Sequence, residues 1–169
     1  MMKNILLSLL LALSLLFGIA FGEVLVEDGV AITEDLIVEY GYDYILSDEV
    51  ALYLHAFEEL PPNYITKDEA RDLGWDGNGN HLWQLSYGYS IGGDSFGNRE
   101  EILPEARGRR YYECDVNFAD GKRGAERLVF SNDGLVYYTA DHYESFELVY
   151  EGWYWEDGWY IWDEGGYYG

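Results

Sequence analysis

From Ser90 onward the apolar residues of this chain change their spacing from that of a helix to that of a strand, and this change narrows the choice of fold more than any other feature. Before it the signals are helical. In SDEVALYLHAFEELPP, Ser47 is placed to cap and Asp48 and Glu49 lie in the first turn, where the helix dipole favours acids. Val50, Leu54 and Phe57 fall on one face, and Pro61 and Pro62 stop the helix. In TKDEARDLGW, Thr66 and Glu69 form a capping box and Gly74 ends the segment. GNGNHLWQLSYG has room for one helical turn within a glycine-rich loop, with Leu82 and Leu85 turned inward. After Ser90, YYECDVNF alternates, which puts Tyr112, Cys114 and Val116 on one face and Tyr111, Glu113 and Asp115 on the other. RLVFSNDGLVYYT reads as a hairpin turning at Asn132, Asp133 and Gly134, and SFELVY as a last strand. Helices first and an antiparallel meander after predict an α+β domain, its helices on one sheet face and its other face open.

Cys114 is the one cysteine, so no intramolecular disulfide supports this domain and its stability must come from its core. The domain spans residues 47–150, and the segments on either side differ from it. Met1 to Gly22 carries Lys3, the apolar run ILLSLLLALSLLFGIAF and small residues at Gly18, Ala20 and Gly22, the layout of a secretory signal peptide rather than of a permanent anchor. The expected product is secreted and extracellular, with no stable membrane association once the signal is cleaved. Residues 23–46 are acidic with short apolar pieces, VLV and LIV, and suit a propeptide, a spacer or an extra strand. The tail EGWYWEDGWYIWDEGGYYG has a type I′ hairpin signal at Asp157 and Gly158 and suits a two-stranded extension of the sheet. Its glycine-tryptophan spacing is weakly similar to a single choline-binding repeat, and its five carboxylates could also lie over a cationic cleft.

The formal net charge is -22, but it is not spread evenly. Glu23 to Leu46 holds seven acids and residues 151–169 hold five, with no base in either, so every basic residue except Lys3 lies between Ser47 and Tyr150. The acid excess argues against non-specific nucleic-acid binding. It leaves room for a local phosphate site, because exposed charges are screened beyond about 8 to 10 Å at physiological salt.

The alternation places Glu113 on the open face, where Arg127 and His142, near the two ends of the hairpin, could join it. A carboxylate, a histidine and cations suit phosphodiester cleavage. One group takes a proton from the attacking hydroxyl, the other gives one to the leaving oxygen, and the cations stabilise the charge gathering on phosphorus. RNA supplies its own nucleophile in the 2′-hydroxyl, so no metal or cofactor is required for that step. From the residues alone, an exposed strand glutamate and a surface-loop histidine describe Glu113 and His142 as well.

LPPNYITKDEARDLGW, SIGGDSFGNREEILP, ECDVNF and ERLVFSNDGLVYYTADHYESF, in this order, resemble the barnase-like guanyl-preferring bacterial ribonucleases over roughly Asp48 to Leu148. The resemblance implies the microbial ribonuclease fold and a secreted, monomeric endoribonuclease. Such an enzyme cleaves single-stranded RNA 3′ of guanosine, without a metal, through a 2′,3′-cyclic phosphate. It implies Glu113 as general base, His142 as general acid, and Lys67, Arg123 and Arg127 as phosphate-stabilising cations. Tyr143 would contact substrate. Phe96, Gly97, Asn98, Arg99 and Glu100 would form the guanine-reading loop, backbone amides meeting O6 and the Glu100 carboxylate accepting from N1 and N2. Family members often carry serine where this chain has Gly97. Asp94 would be a supporting acid that orients Lys67 or Arg123. A barstar-like cytoplasmic protein inhibitor is implied as a partner. The alternative is a barnase-like module that binds without catalysis, or a surface-attached toxin domain.

Overall fold

The computed structural model describes residues 24–77, 82, 88–118 and 123–152, together with the backbone of 154–156, 159–162 and 166–168. Its elements run β1 (Leu25–Glu27), β2 (Val30–Ile32), β3 (Ile37–Glu39), α1 (Ser47–Phe57), β4 (Tyr64–Ile65), α2 (Lys67–Asp72) and β5 (Ser90–Phe96). They continue as β6 (Tyr111–Asp115), β7 (Arg127–Ser131), β8 (Val136–Thr139), β9 (Glu147–Tyr150), β10 (Tyr154–Glu156), β11 (Trp159–Trp162) and β12 (Gly166–Tyr168). The expected signal peptide, Leu85, Asp157 and Gly158 lie outside the described residues.

The alternating half of the chain makes a six-stranded sheet in the order β4 to β9, antiparallel from β5 onward. Its edge departs from the expected meander. β4 runs parallel to β5, pairing Tyr64 with Ser90 and Ile65 with Ile91, because the chain must cross over through α2 to reach β5. Two residues are too few for periodicity to announce such a strand. A bulge between Gly92 and Asp94 brings Asp94 opposite Glu113. Gly92 is needed there, since a Cβ would lie 2.6 Å from both the Cys114 Cβ and the Tyr64 Cδ1.

Helix α1 contributes Val50, Ala51 and Leu54 to one buried cluster with Cys114, Val116, Leu128 and Val136 of the sheet and its continuation. Phe57 does not join Val50 and Leu54 as expected. It packs with Leu52 and Tyr53 against Ala31 and Val38, on a second side of the same helix. The acidic segment before α1 thus contributes strands: β1, β2 and β3 form a small antiparallel sheet whose Ala31 and Val38 are fully buried. Ser47 is not the cap. The N-cap is Leu46, which makes no side-chain bond, and the Asn117 amide takes over, accepting from the Ser47 N–H at 2.8 Å and donating to its hydroxyl at 3.0 Å. The helix also ends before the two prolines, at the left-handed Glu58, whose N–H bonds the Leu54 carbonyl.

Around α2 the local signals are realised: Thr66 and Glu69 form the capping box, and Gly74 takes φ 98° beyond the last turn. Ala70, Trp75, Leu82 and Ile91 close a third cluster. The face opposite α1 is not wholly open. Tyr111, Val129 and Tyr137 come together at one end with Leu103, Phe96, Tyr143 and Phe146, and this fourth cluster anchors the loops that flank the site. The tail strands β10, β11 and β12 form a sheet of their own rather than a two-stranded extension of the large one. No helix among the described residues is long and apolar enough to cross a membrane.

Candidate active site

Glu113 stands at the centre of β6, on the face away from α1, with its side chain 12% exposed. Both oxygens are engaged. The Lys67 ammonium, from the first turn of α2, donates to Oε1, and the Tyr143 hydroxyl donates to Oε2 at 2.5 Å. Burial first, and then the Glu113 carboxylate, push the Tyr143 phenol well up, so that it remains a donor. Asp94 accepts from the Lys67 backbone N–H at 3.0 Å. Among the described residues it holds the start of α2, and so the root of Lys67, rather than the ammonium or Arg123.

Arg123 and Arg127 meet at one acid. Asp115, two residues beyond Glu113 on the same face, accepts from Arg123 Nε at 2.5 Å and Nη2 at 2.9 Å, and its Oδ1 lies 2.8 Å from Arg127 Nε. Asp115 and Arg127 are almost completely buried, whereas the Arg123 side chain keeps 21% exposure. Burial works against the Arg123 charge, but the carboxylate outweighs it and holds the guanidinium above its usual range. Arg127 Nη1 also donates to the Gly124 and Glu126 carbonyls. Trp75 lies under Arg123, its ring centroid 5.5 Å from Cζ, at cation–π distance. The alternation put Asp115 on the same face as Glu113, yet the sequence did not single it out, because a strand acid reads as exposed until Arg127, its ladder partner on β7, and Arg123, from the loop before it, close on it.

His142 is exposed on the loop after β8, and it and Tyr143 both take left-handed backbone, φ 59° and 78°. Such residues cost of order 1–3 kcal/mol each and persist only where their surroundings impose them. Asp141 imposes them, accepting from the Thr139 hydroxyl, the Glu144 and Ser145 N–H groups and the Ser145 hydroxyl. These bonds, those from Ser145 foremost, hold its carboxyl down at about 2. The neighbouring carboxylate is thus bound up in the loop rather than hydrogen-bonded to the imidazole. The imidazole instead lies against the Tyr143 ring, centroids 4.7 Å apart, while the hydroxyl of that same ring meets Glu113. One tyrosine spans the carboxylate and the histidine.

The loop after β5 completes the set. Phe96 packs on Tyr143 with centroids 5.2 Å apart, which ties this loop to the histidine loop. Asn98 is buried, its amide bonding both the N–H and the carbonyl of Leu103, so it closes the loop on itself. Arg99 and Glu100 are exposed at the turn. A Cβ at Gly97 would come no nearer than 3.6 Å to Arg99, an ordinary contact, so space does not demand glycine there.

A carboxylate, an imidazole and three cations within one linked network can move protons on either side of a phosphodiester and hold its charge. A protein-family model described as ribonuclease matches residues 48–150. A ribonuclease of Heyndrickxia coagulans is 50% identical over 102 residues, which are 60% of this chain and 94% of that relative. A ribonuclease of Bacillus intermedius is 50% identical over the same length, 63% of that relative. The guanyl-specific ribonuclease St of Saccharopolyspora erythraea is 46% identical over 64 residues, 37% of this chain and 63% of that relative. The chain belongs to the barnase-like, guanyl-preferring bacterial ribonuclease family and is an RNA-cleaving enzyme.

Proposed function

We propose that the protein is a secreted, monomeric endoribonuclease that cuts single-stranded RNA 3′ of guanosine, without a metal or cofactor, through a 2′,3′-cyclic phosphate. The observation that carries the reading is the bridge from Glu113 through Tyr143 to His142, flanked by Lys67 and by the arginine pair on Asp115. RNA would lie on the sheet face turned away from the helical layer. Glu113 takes the 2′-hydroxyl proton as the O2′–P bond forms. His142 gives its proton to the departing O5′ as the P–O5′ bond breaks, and the exchange leaves the cyclic phosphate and a free 5′-hydroxyl. Lys67, Arg123 and Arg127 stabilise the charge on the non-bridging oxygens. The Lys67 and Tyr143 donors that now hold Glu113 are the groups nearest to turn toward that phosphate once RNA enters.

Guanine would be read by the backbone amides of Gly97, Asn98 and Arg99 at O6 and by the Glu100 carboxylate at N1 and N2, with Phe96 beside the base. Export rests on the signal-like layout of Met1 to Gly22, and a protein inhibitor of the barstar kind would protect the producing cytoplasm by covering the same cleft.

The test is cleavage of short RNAs that differ only in the base before the scissile bond. Cutting after guanosine, lowered roughly 10²–10⁴-fold by Glu113→Ala or His142→Ala with RNA binding largely kept, is the expected result. Intact RNA after incubation with the wild type at neutral pH refutes the enzyme, and equal cutting after all four bases refutes the preference.

A further inference from the structure

Eight cationic side chains lie among the described residues, and their partners divide them sharply. Lys67, Arg71, Arg109, Arg123 and Arg127 each hold a carboxylate. Among the described residues, Arg99, Arg107 and Arg110 hold none, and all three fall in the stretch from the expected base-reading turn to the start of β6. In a chain of net charge -22, three unneutralised guanidinium groups within twelve residues are a local exception to the field of the whole molecule.

Of the three, Arg110 lines a cavity of about 300 Å³ whose walls also include Gly97, Asn98, Glu105, Arg109 and Tyr111. Its frame is built rather than fluid. Arg109 is fixed by two bonds to Asp133 and one to the Pro104 carbonyl, and the Tyr111 hydroxyl bonds that same carbonyl at 2.6 Å. Arg110 has its backbone pinned on both sides by Asn132, which accepts from its N–H at 2.6 Å and donates to its carbonyl at 3.0 Å. Its guanidinium remains exposed at the rim. Arg109 is neutralised by Asp133, so it shapes the wall, and Arg110 is the charge on offer. Glu105 in the cavity wall disfavours a ligand that fills the whole cavity with negative charge and suits one that presents a single anionic group at the rim.

We infer that Arg110 and this cavity form a subsite for a phosphodiester of the RNA strand outside the cleaved step. The subsite rests on the proposed base-reading role of residues 97–100, because Gly97 and Asn98 are shared by the loop and the cavity wall. A guanidinium matches a phosphodiester with a planar two-bond fork, which an ammonium does not. Elsewhere the acidic surface repels a polyanion, so a strand held at the loop runs on along the rim where, among the described residues, cations are unpaired.

Binding without cleavage tests this. The probes are two fluorescein-labelled hexamers in which the single guanosine is 2′-deoxy and hence uncleavable, one extended on its 5′ side and the other on its 3′ side. Anisotropy is read across a salt series for wild type and Arg110→Gln. The expected result is a loss of about 5- to 10-fold in affinity at low salt for one of the two hexamers. For that hexamer the slope of log K against log salt is shallower by about 0.7, one phosphate contact on a single strand. Guanosine 3′-monophosphate, which lacks the extra phosphates, binds both proteins equally, and the urea midpoint is unchanged. Equal affinities and slopes for both hexamers overturn the subsite, as does an equal loss for the mononucleotide, which marks damage to the base site instead. Should the subsite result hold while the ribo form of the same hexamer stays uncut, the ribonuclease reading falls and the subsite stands.

Discussion

Leu52 and Leu54 are two residues apart on α1, both buried, and they face different partners: Leu54 faces the large sheet, Leu52 the small sheet of β1 to β3. If the acidic N-terminal segment is part of the cooperative fold, truncating either should cost the same kind of energy. A leucine buried to 0% or 5% exposure loses about 1.5–3 kcal/mol of transfer energy when its side chain is removed, and the cavity raises the total to about 2–5 kcal/mol. With a urea slope of about 2 kcal/mol per molar, a 3 kcal/mol loss moves the midpoint down by about 1.5 M. Leu52→Ala and Leu54→Ala should therefore shift the urea midpoint, followed by tryptophan fluorescence, by comparable amounts and with an unchanged slope. If β1 to β3 were a loosely attached spacer, Leu52 would behave as a surface residue and its truncation would fall within about 0.5 kcal/mol. That result, beside a normal loss for Leu54→Ala, refutes the claim that the segment belongs to the folded unit. It would also restore the propeptide as a reading of residues 23–46.

Three further outcomes follow from particular contacts. Asn117→Ala removes the acceptor of the Ser47 N–H from a residue with left-handed φ 56° and should cost about 2 kcal/mol in urea unfolding, whereas Ser47→Ala, which leaves that bond in place, should cost under about 0.5 kcal/mol. Asp141 has its carboxyl held down at about 2, so its hold on the histidine loop is complete above the ordinary carboxylate range and is lost as pH falls through about 2. The Glu144 and Ser145 amide resonances should titrate there in the wild type and not in Asp141→Ala, which should also lower RNA cleavage at neutral pH. His55 is stacked on Tyr150 with centroids 4.3 Å apart, and burial lowers its pKa, so the unfolded chain binds the proton more readily. Stability should fall as pH drops below about 6.5, and His55→Leu should flatten the urea midpoint between pH 7.5 and 5.5.

Where an element's determinants lie within a few residues, the sequence displayed them. The Thr66–Glu69 box, the Gly74 stop, the turn at Asn132 to Gly134 and the two faces of β6 are all short-range, and each is found where the spacing placed it. The failures involve partners far along the chain. Ser47 has the chemistry of a cap but not the role, because a better-placed amide comes from a residue 70 positions away. Val50, Leu54 and Phe57 share one buried face only in a helix covered on a single side. Five consecutive buried residues, Val50 to Leu54, are the mark of a helix covered on two sides, and that signal was present in the sequence. The site divides the same way. Alternation put Glu113 on the face opposite α1 and the hairpin ends brought Arg127 and His142 toward it, but the loops bearing Arg123 and Glu100 have no period, and resemblance to a family supplied them. Asp115, Asp141 and Trp75 act through those residues, and no local rule marks them.

The distribution of charge carries one more consequence. A protein with 32 acids and ten bases gains nothing from long-range attraction to RNA, yet its family's chemistry needs a cationic cleft. The conflict is met at short range. Lys67 is held on Glu113 and the arginine pair on Asp115, so each cation is oriented by a buried or half-buried acid before substrate arrives. Such pairs add little net charge to be felt at a distance. They do provide donors whose geometry is already set when a phosphate displaces or joins their partner, and preorganisation of that kind lowers a barrier without steering an encounter. The acidic segments at the two ends can therefore enlarge the net charge without disabling the site, since screening within about 8 to 10 Å separates the two effects. What the ends must not do is neutralise the three unpaired arginines in and after the proposed base-reading loop, the only described cations that hold no carboxylate.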